Sequence, residues 1–154
     1  MKKVILLTAA LFLSANANAG MTDEEVFENS QGFYKSEGLG YIVMDTKGSI
    51  GLSILTSKSG AAFPVFISYD SDCKGFDAKV KPAKSSSING KLVKMVVQCH
   101  QDSFSAYYPK TAKGQEYLRL QLRTKNKLTI DAFTFNTEGY LYFSEIVANE
   151  GGGM

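Results

Sequence analysis

The chain has 154 residues, 44% hydrophobic and 21% charged, with a formal net charge of +2 at pH 7. That length suits one domain around a single core, and the near-neutral balance excludes a chain that seeks nucleic acid by charge alone. One histidine and two cysteines leave little for metal coordination.

Residues 1–19 have the plan of a secretory signal peptide. Lys2 and Lys3 form the charged start, Val4 to Leu13 the apolar core and Ala17-Asn18-Ala19 a small-residue cleavage site. The apolar run is shorter than the roughly 20 residues of a spanning helix, and no cysteine follows the cleavage site to carry a lipid. The expected product is a single domain over 20–154, exported to a bacterial periplasm or secreted, without membrane insertion.

Loss of Lys2 and Lys3 leaves 15 bases against 15 acids. Their distribution is uneven: Gly20 to Asp72 carries eight acids and three bases, Cys73 to Lys127 twelve bases and three acids, and the remainder four acids and no base. Facing strands that neutralise one another would account for this, as would a basic face for an anionic partner.

Thr22 to Glu25 has the spacing of a capping box, which predicts a short helix over Asp23 to Asn29. Tyr41 to Asp45 and Ile50 to Thr56 read as a hairpin around Thr46-Lys47-Gly48. Ala62 to Tyr69 is a third strand, the polar run Asp70 to Asp77 a loop, and Ala78 to Val80 a short strand. Asn89-Gly90 is a turn leading into Lys91 to His100, the clearest strand. Val93, Met95, Val97 and Cys99 share one of its faces, and Leu92, Lys94, Val96 and Gln98 the other.

Cys99 has Cys73 as its one possible partner within the chain. In an oxidising compartment the pair is expected to form a structural disulfide. Ser103 to Tyr108 follows as a strand. Glu116 to Thr124, with Leu118, Leu120 and Leu122 alternating with Arg119, Gln121 and Arg123, reads as another, in a hairpin with Leu128 to Phe135. Tyr140 to Ala148 leans to helix, and Glu150 to Met154 reads as a mobile glycine-rich tail. Seven or eight strands in hairpins predict a mainly β, antiparallel sandwich or small barrel with a short N-terminal helix and a short C-terminal one.

Chemical motifs are sparse. His100 projects from the opposite face to Cys99, so the two do not share a metal site, and no nucleophile elbow is present for a hydrolase. Gly38-Leu39-Gly40 precedes a strand, unlike a phosphate loop, and no cofactor motif is present. Tyr107, Tyr108, Lys110, Lys113, Arg119 and Arg123 interleave aromatic and basic side chains, a composition found on stacking platforms and at binding hot spots. An exported neutral protein rarely meets nucleic acid, so these six predict a surface for another protein or an anionic envelope polymer.

Ser57-Lys58-Ser59-Gly60-Ala61-Ala62-Phe63 resembles the Ser-Gly-x-Gly-Ala-x-Tyr signature of the periplasmic c-type lysozyme inhibitors, lacking one glycine and the aromatic hydroxyl. Tyr41 to Gly48 (YIVMDTKG) is similar to their Tyr-x-x-x-Thr-Lys-Gly with one residue more, and the two stretches stand in reverse order. The resemblance covers fifteen residues and identifies no family. It implies a small exported β-barrel and illustrates a non-enzymatic role for one.

The expected function is thus an exported, non-enzymatic binding module of the bacterial envelope (inhibitor, accessory or assembly protein) acting through the tyrosine and basic surface. Two alternatives stand beside it: an envelope hydrolase using carboxylates of the Asp70 to Asp77 loop, and a subunit that self-assembles through an exposed edge strand.

Overall fold

The computed structural model describes residues 22–151. The expected signal segment and the last three residues of the tail lie outside them. Thr22 caps the first helix, α1 (Asp23–Ser30): its side chain accepts from the Glu25 N–H while the Glu25 carboxylate accepts from the Thr22 N–H. Three acids in the first turn complement the positive end of the helix dipole, and the predicted boundaries hold to within one residue.

Eleven strands follow among the described residues. They are β1 (Tyr34–Ser36), β2 (Gly40–Met44), β3 (Gly51–Thr56), β4 (Ala62–Tyr69), β5 (Lys81–Pro82), β6 (Ser86–Ile88), β7 (Lys91–Val93), β8 (Met95–Gln101), β9 (Phe104–Pro109), β10 (Lys127–Ile130) and β11 (Phe133–Asn136). Helix α2 (Ala112–Thr124) stands between β9 and β10, and α3 (Tyr140–Gly151) follows β11. The strands form two antiparallel sheets, ordered β1-β2-β3-β4-β9-β8-β5 and β11-β10-β6-β7. The mainly β, antiparallel class with helices near both ends is as expected.

Several elements differ from the sequence reading. The run from Lys91 is two strands: it pairs with β6 through Val93, breaks at exposed Lys94, and resumes as β8 in the larger sheet. The predicted division of faces holds from Met95 to Cys99, with Val97 opposite Tyr107 and Cys99 opposite Ser105, until the register shifts between Cys99 and Gln101; both faces are covered at Met95 and Val96. The short strand expected over Ala78 to Val80 lies at Lys81–Pro82 instead.

Glu116 to Thr124 is helix, so its hairpin with Leu128 to Phe135 does not exist. That second segment is itself a hairpin, β10 and β11, turning at Asp131 with a φ of +50°. Glu150 and Gly151, assigned to the tail, close α3.

The larger sheet buries both faces. On one, Val43, Leu52, Ile54 and Phe66 pack with Leu118, Leu122, Tyr140 and Val147 of the helices and with Ile88, Leu128, Ile130 and Phe135 of the smaller sheet. On the other, Leu39, Ile42, Met44, Val65, Ile67, Phe104 and Ala106 form a second cluster. A Cβ on Gly51 would collide with the Ile42 side chain, so the missing side chain at Gly51 leaves the space that Ile42 fills. The sheet curls over this second cluster until the β1–β2 turn meets β8, where His100 Nε2 lies 2.8 Å from the Gly38 carbonyl oxygen. His100 is therefore half-buried and partnered. Burial inside this curl pushes the Tyr34 phenol up to about 12.

Candidate functional site

Strand β9 separates the two tyrosines that adjoin in sequence, because successive side chains leave a strand on opposite faces. Tyr107 packs against the core under the helices, whereas Tyr108 packs against the second cluster. The Tyr108 hydroxyl donates to Gln98 Oε1 at 2.6 Å, and its ring meets Phe63 edge-on at 5.4 Å. Burial raises its pKa. Both tyrosines are half-buried.

After β9, Thr111 caps α2 by accepting from the Gly114 N–H at 3.1 Å. The helix then carries the predicted basic residues in two directions. Arg119 and Arg123 lie 3.9 and 4.0 Å from the Glu116 carboxylate. The Arg119 guanidinium also lies 5.8 Å from the centre of the Phe63 ring. Burial raises the pKa of Tyr140 on α3, a push that both arginines partly oppose. Lys113, in the first turn of the helix, sits elsewhere, beside β7. Lys110 is tied into the same end of the molecule by its backbone N–H, which donates to the Lys94 carbonyl at 2.9 Å.

The result is a cleft of about 240 Å³ lined by Lys91, Leu92, Val93 and Lys94 on one side and by Thr111, Lys113, Gly114 and Tyr117 on the other. Its spacing is set by close packing: a Cβ on Gly114 would lie 3.2 Å from Val93 Cγ1. Lys91 Nζ stands 4.5 Å above the Tyr117 ring, and the Tyr117 hydroxyl donates to the Ile88 carbonyl at 3.0 Å. Leu92 is 73% exposed at the rim. No acid lines the cleft or occupies the first turn of α2, so the cleft is uniformly positive.

Of the six residues singled out by sequence, the structure thus brings Lys113 into a cleft with Lys91 and Lys94, which were not singled out, and ties Lys110 to its edge through the backbone. It places Arg119 and Arg123 around Glu116 and turns the tyrosines into packing residues. The missed lysines and Tyr117 carry no motif; they meet across a sheet edge and a helix start that sequence spacing does not connect.

The other end of the molecule holds the disulfide and the acidic loop. Cys73 and Cys99 are bonded, with Cys73 buried. Asp70 accepts from the Ser105 hydroxyl at 2.5 Å and from the Asp72 N–H at 3.0 Å. The serine bond, then the backbone bond, hold its carboxyl below the ordinary value. Asp77 accepts from the Lys79 N–H at 2.9 Å. The two backbone bonds form turns and the serine bond ties the loop to β9, and a general acid would need a carboxyl pushed the opposite way from Asp70. Among the described residues no group of three or more His, Cys, Asp or Glu side chains could hold a metal ion, and no helix is long and apolar enough to cross a membrane.

Comparison with protein-family models, curated proteins and solved structures finds no match to the chain.

Proposed function

We propose that this protein is an exported, non-enzymatic binding module of the bacterial envelope that captures an anionic macromolecule through a basic face. The observation that carries this reading is the β7–α2 cleft. Lys91, Lys94 and Lys113 converge on it with an aromatic ring and no acid, and Lys110 adjoins it. Lysines held this close repel one another, and an anionic partner relieves that repulsion. The intrachain disulfide fits an oxidising compartment, and the apparent signal peptide fits export. Tyr107 and Tyr108 pack in the two clusters of the larger sheet, and Arg119 and Arg123 gather around Glu116, so the lysines carry the face.

Affinity capture from an envelope extract with the chain from Gly20 to Met154 tests the proposal. Captured material should elute with salt, and Lys91→Glu with Lys113→Glu should reduce capture about tenfold or more, since rim and core charges steer and hold such complexes. Unchanged capture by the double variant would remove this face as the site.

A further inference from the structure

We infer that the cleft takes an extended acidic segment of a partner protein, which adds as a fifth strand alongside β7. This rests on the basic-face reading and goes further by naming the occupant and its mode of binding.

Three observations lead there. First, β7 is the terminal strand of the smaller sheet: it pairs with β6 and with no other strand. A terminal strand offers backbone donors and acceptors along its free side, here over β7 itself because the Lys94 carbonyl already accepts from the Lys110 N–H, and an extended peptide satisfies them by strand addition. Second, β7 does not merely border the cleft; Lys91, Leu92, Val93 and Lys94 all line it, so a ligand in the cleft lies along the strand. Third, the charges are arranged by face. Lys91 and Val93 share the face covered by α2, where Lys91 stands over Tyr117 and Val93 touches Gly114. Leu92 points from the opposite face, largely exposed.

Period-two alternation then dictates what fits. Residues i and i+2 of an added strand enter the α2 side, between Lys91 and Lys113, while residue i+1 lies beside Leu92, on the face that Lys94 shares. The expected recognition pattern is acid, apolar, acid. A small anion would use the lysines but would leave both Leu92 and the strand edge idle, and a flexible anionic polymer would have no use for the alternation.

The test uses the chain from Gly20 to Met154 and three capped peptides: Thr-Glu-Val-Glu-Thr, its isomer Thr-Val-Glu-Glu-Thr, and the first peptide N-methylated at valine. Affinity is read by competition and location by amide shifts. The alternating peptide should bind about fivefold or more tighter than either other peptide, in line with cross-strand pairing energies, and should shift amides of residues 91–94 and 111–117. Leu92→Ser, at an exposed position whose change leaves folding intact, should cost the alternating peptide about threefold and the isomer nothing. Equal affinities for the three peptides, with Lys113→Glu weakening all of them, would overturn strand addition and leave the basic face standing. Absence of peptide binding, while salt-sensitive envelope capture persists, would also overturn it alone. Capture and peptide binding both indifferent to Lys91→Glu with Lys113→Glu would overturn both readings.

Discussion

Asp45 shows how one side chain can set a hairpin. It is fully buried, yet its carboxylate accepts from the N–H groups of Lys47 at 2.9 Å, Ser49 at 2.6 Å and Ile50 at 2.7 Å. The β2–β3 turn is thereby built around a buried anion whose acceptor sites are filled. Asp45→Ala should cost about 3 kcal/mol in urea unfolding, because three backbone donors of the turn lose a buried, charged acceptor together; Asp45→Asn, which keeps one oxygen, should cost about half. Asp70 makes a pH-dependent counterpart. Its folded pKa lies below the ordinary 3.8, chiefly through the Ser105 hydroxyl. The unfolded chain therefore takes up this proton first as the pH falls, and the stability that the bond contributes is present above about pH 4 and lost below it. Ser105→Ala should lower the urea midpoint at pH 6, and the gap to the parent protein should narrow by pH 2.5.

Among the elements, α2 is the instructive one. Leu118, Leu120 and Leu122 alternate perfectly, and a strand explains that pattern as well as a helix does when only three apolar positions are available. Burial separates the two: Leu118 and Leu122, one helical turn apart, are buried, whereas Leu120 is half exposed. The signal that could have decided it was the start of the element. Thr111 is a capping residue two positions after Pro109, and Glu116, Arg119 and Arg123 fall at the i+3 and i+4 intervals of a helix. Leu118→Ala should cost about 3 kcal/mol and Leu120→Ala less than about 0.5 kcal/mol, measured by chemical denaturation; equal costs would contradict the helix. The hairpin of β2 and β3, the Asn89-Gly90 turn and the capping box of α1 were legible because each is specified by residues adjacent in sequence. β10 and β11 were read as one strand because Asp131-Ala132 lacks the glycine that marks a two-residue turn, and Asp131 adopts the left-handed φ itself.

For the whole molecule, the legible part was the class and the crosslink, and the illegible part was the site. Two antiparallel sheets follow from many short alternating segments, and the disulfide follows from having two cysteines. The cleft is different: it depends on a strand leaving one sheet for another at Lys94 and on a helix lying against that strand's last residue, neither of which is written locally. Replacing Cys73 and Cys99 together by serine should lower stability by roughly 3 kcal/mol by loop entropy over the 26-residue separation. The loss should show as a lower urea midpoint in the double variant and as an equal loss on reducing the parent.

The passage of β7 directly into β8 also makes Lys94 a mechanical joint. One uninterrupted backbone belongs to both sheets, so neither can come apart without loosening the other, and the two should exchange their slowest amide protons with deuterium at a common rate. An added strand on β7 would thus be felt as slower exchange as far along as Cys99, at the opposite end of the molecule from the bound segment.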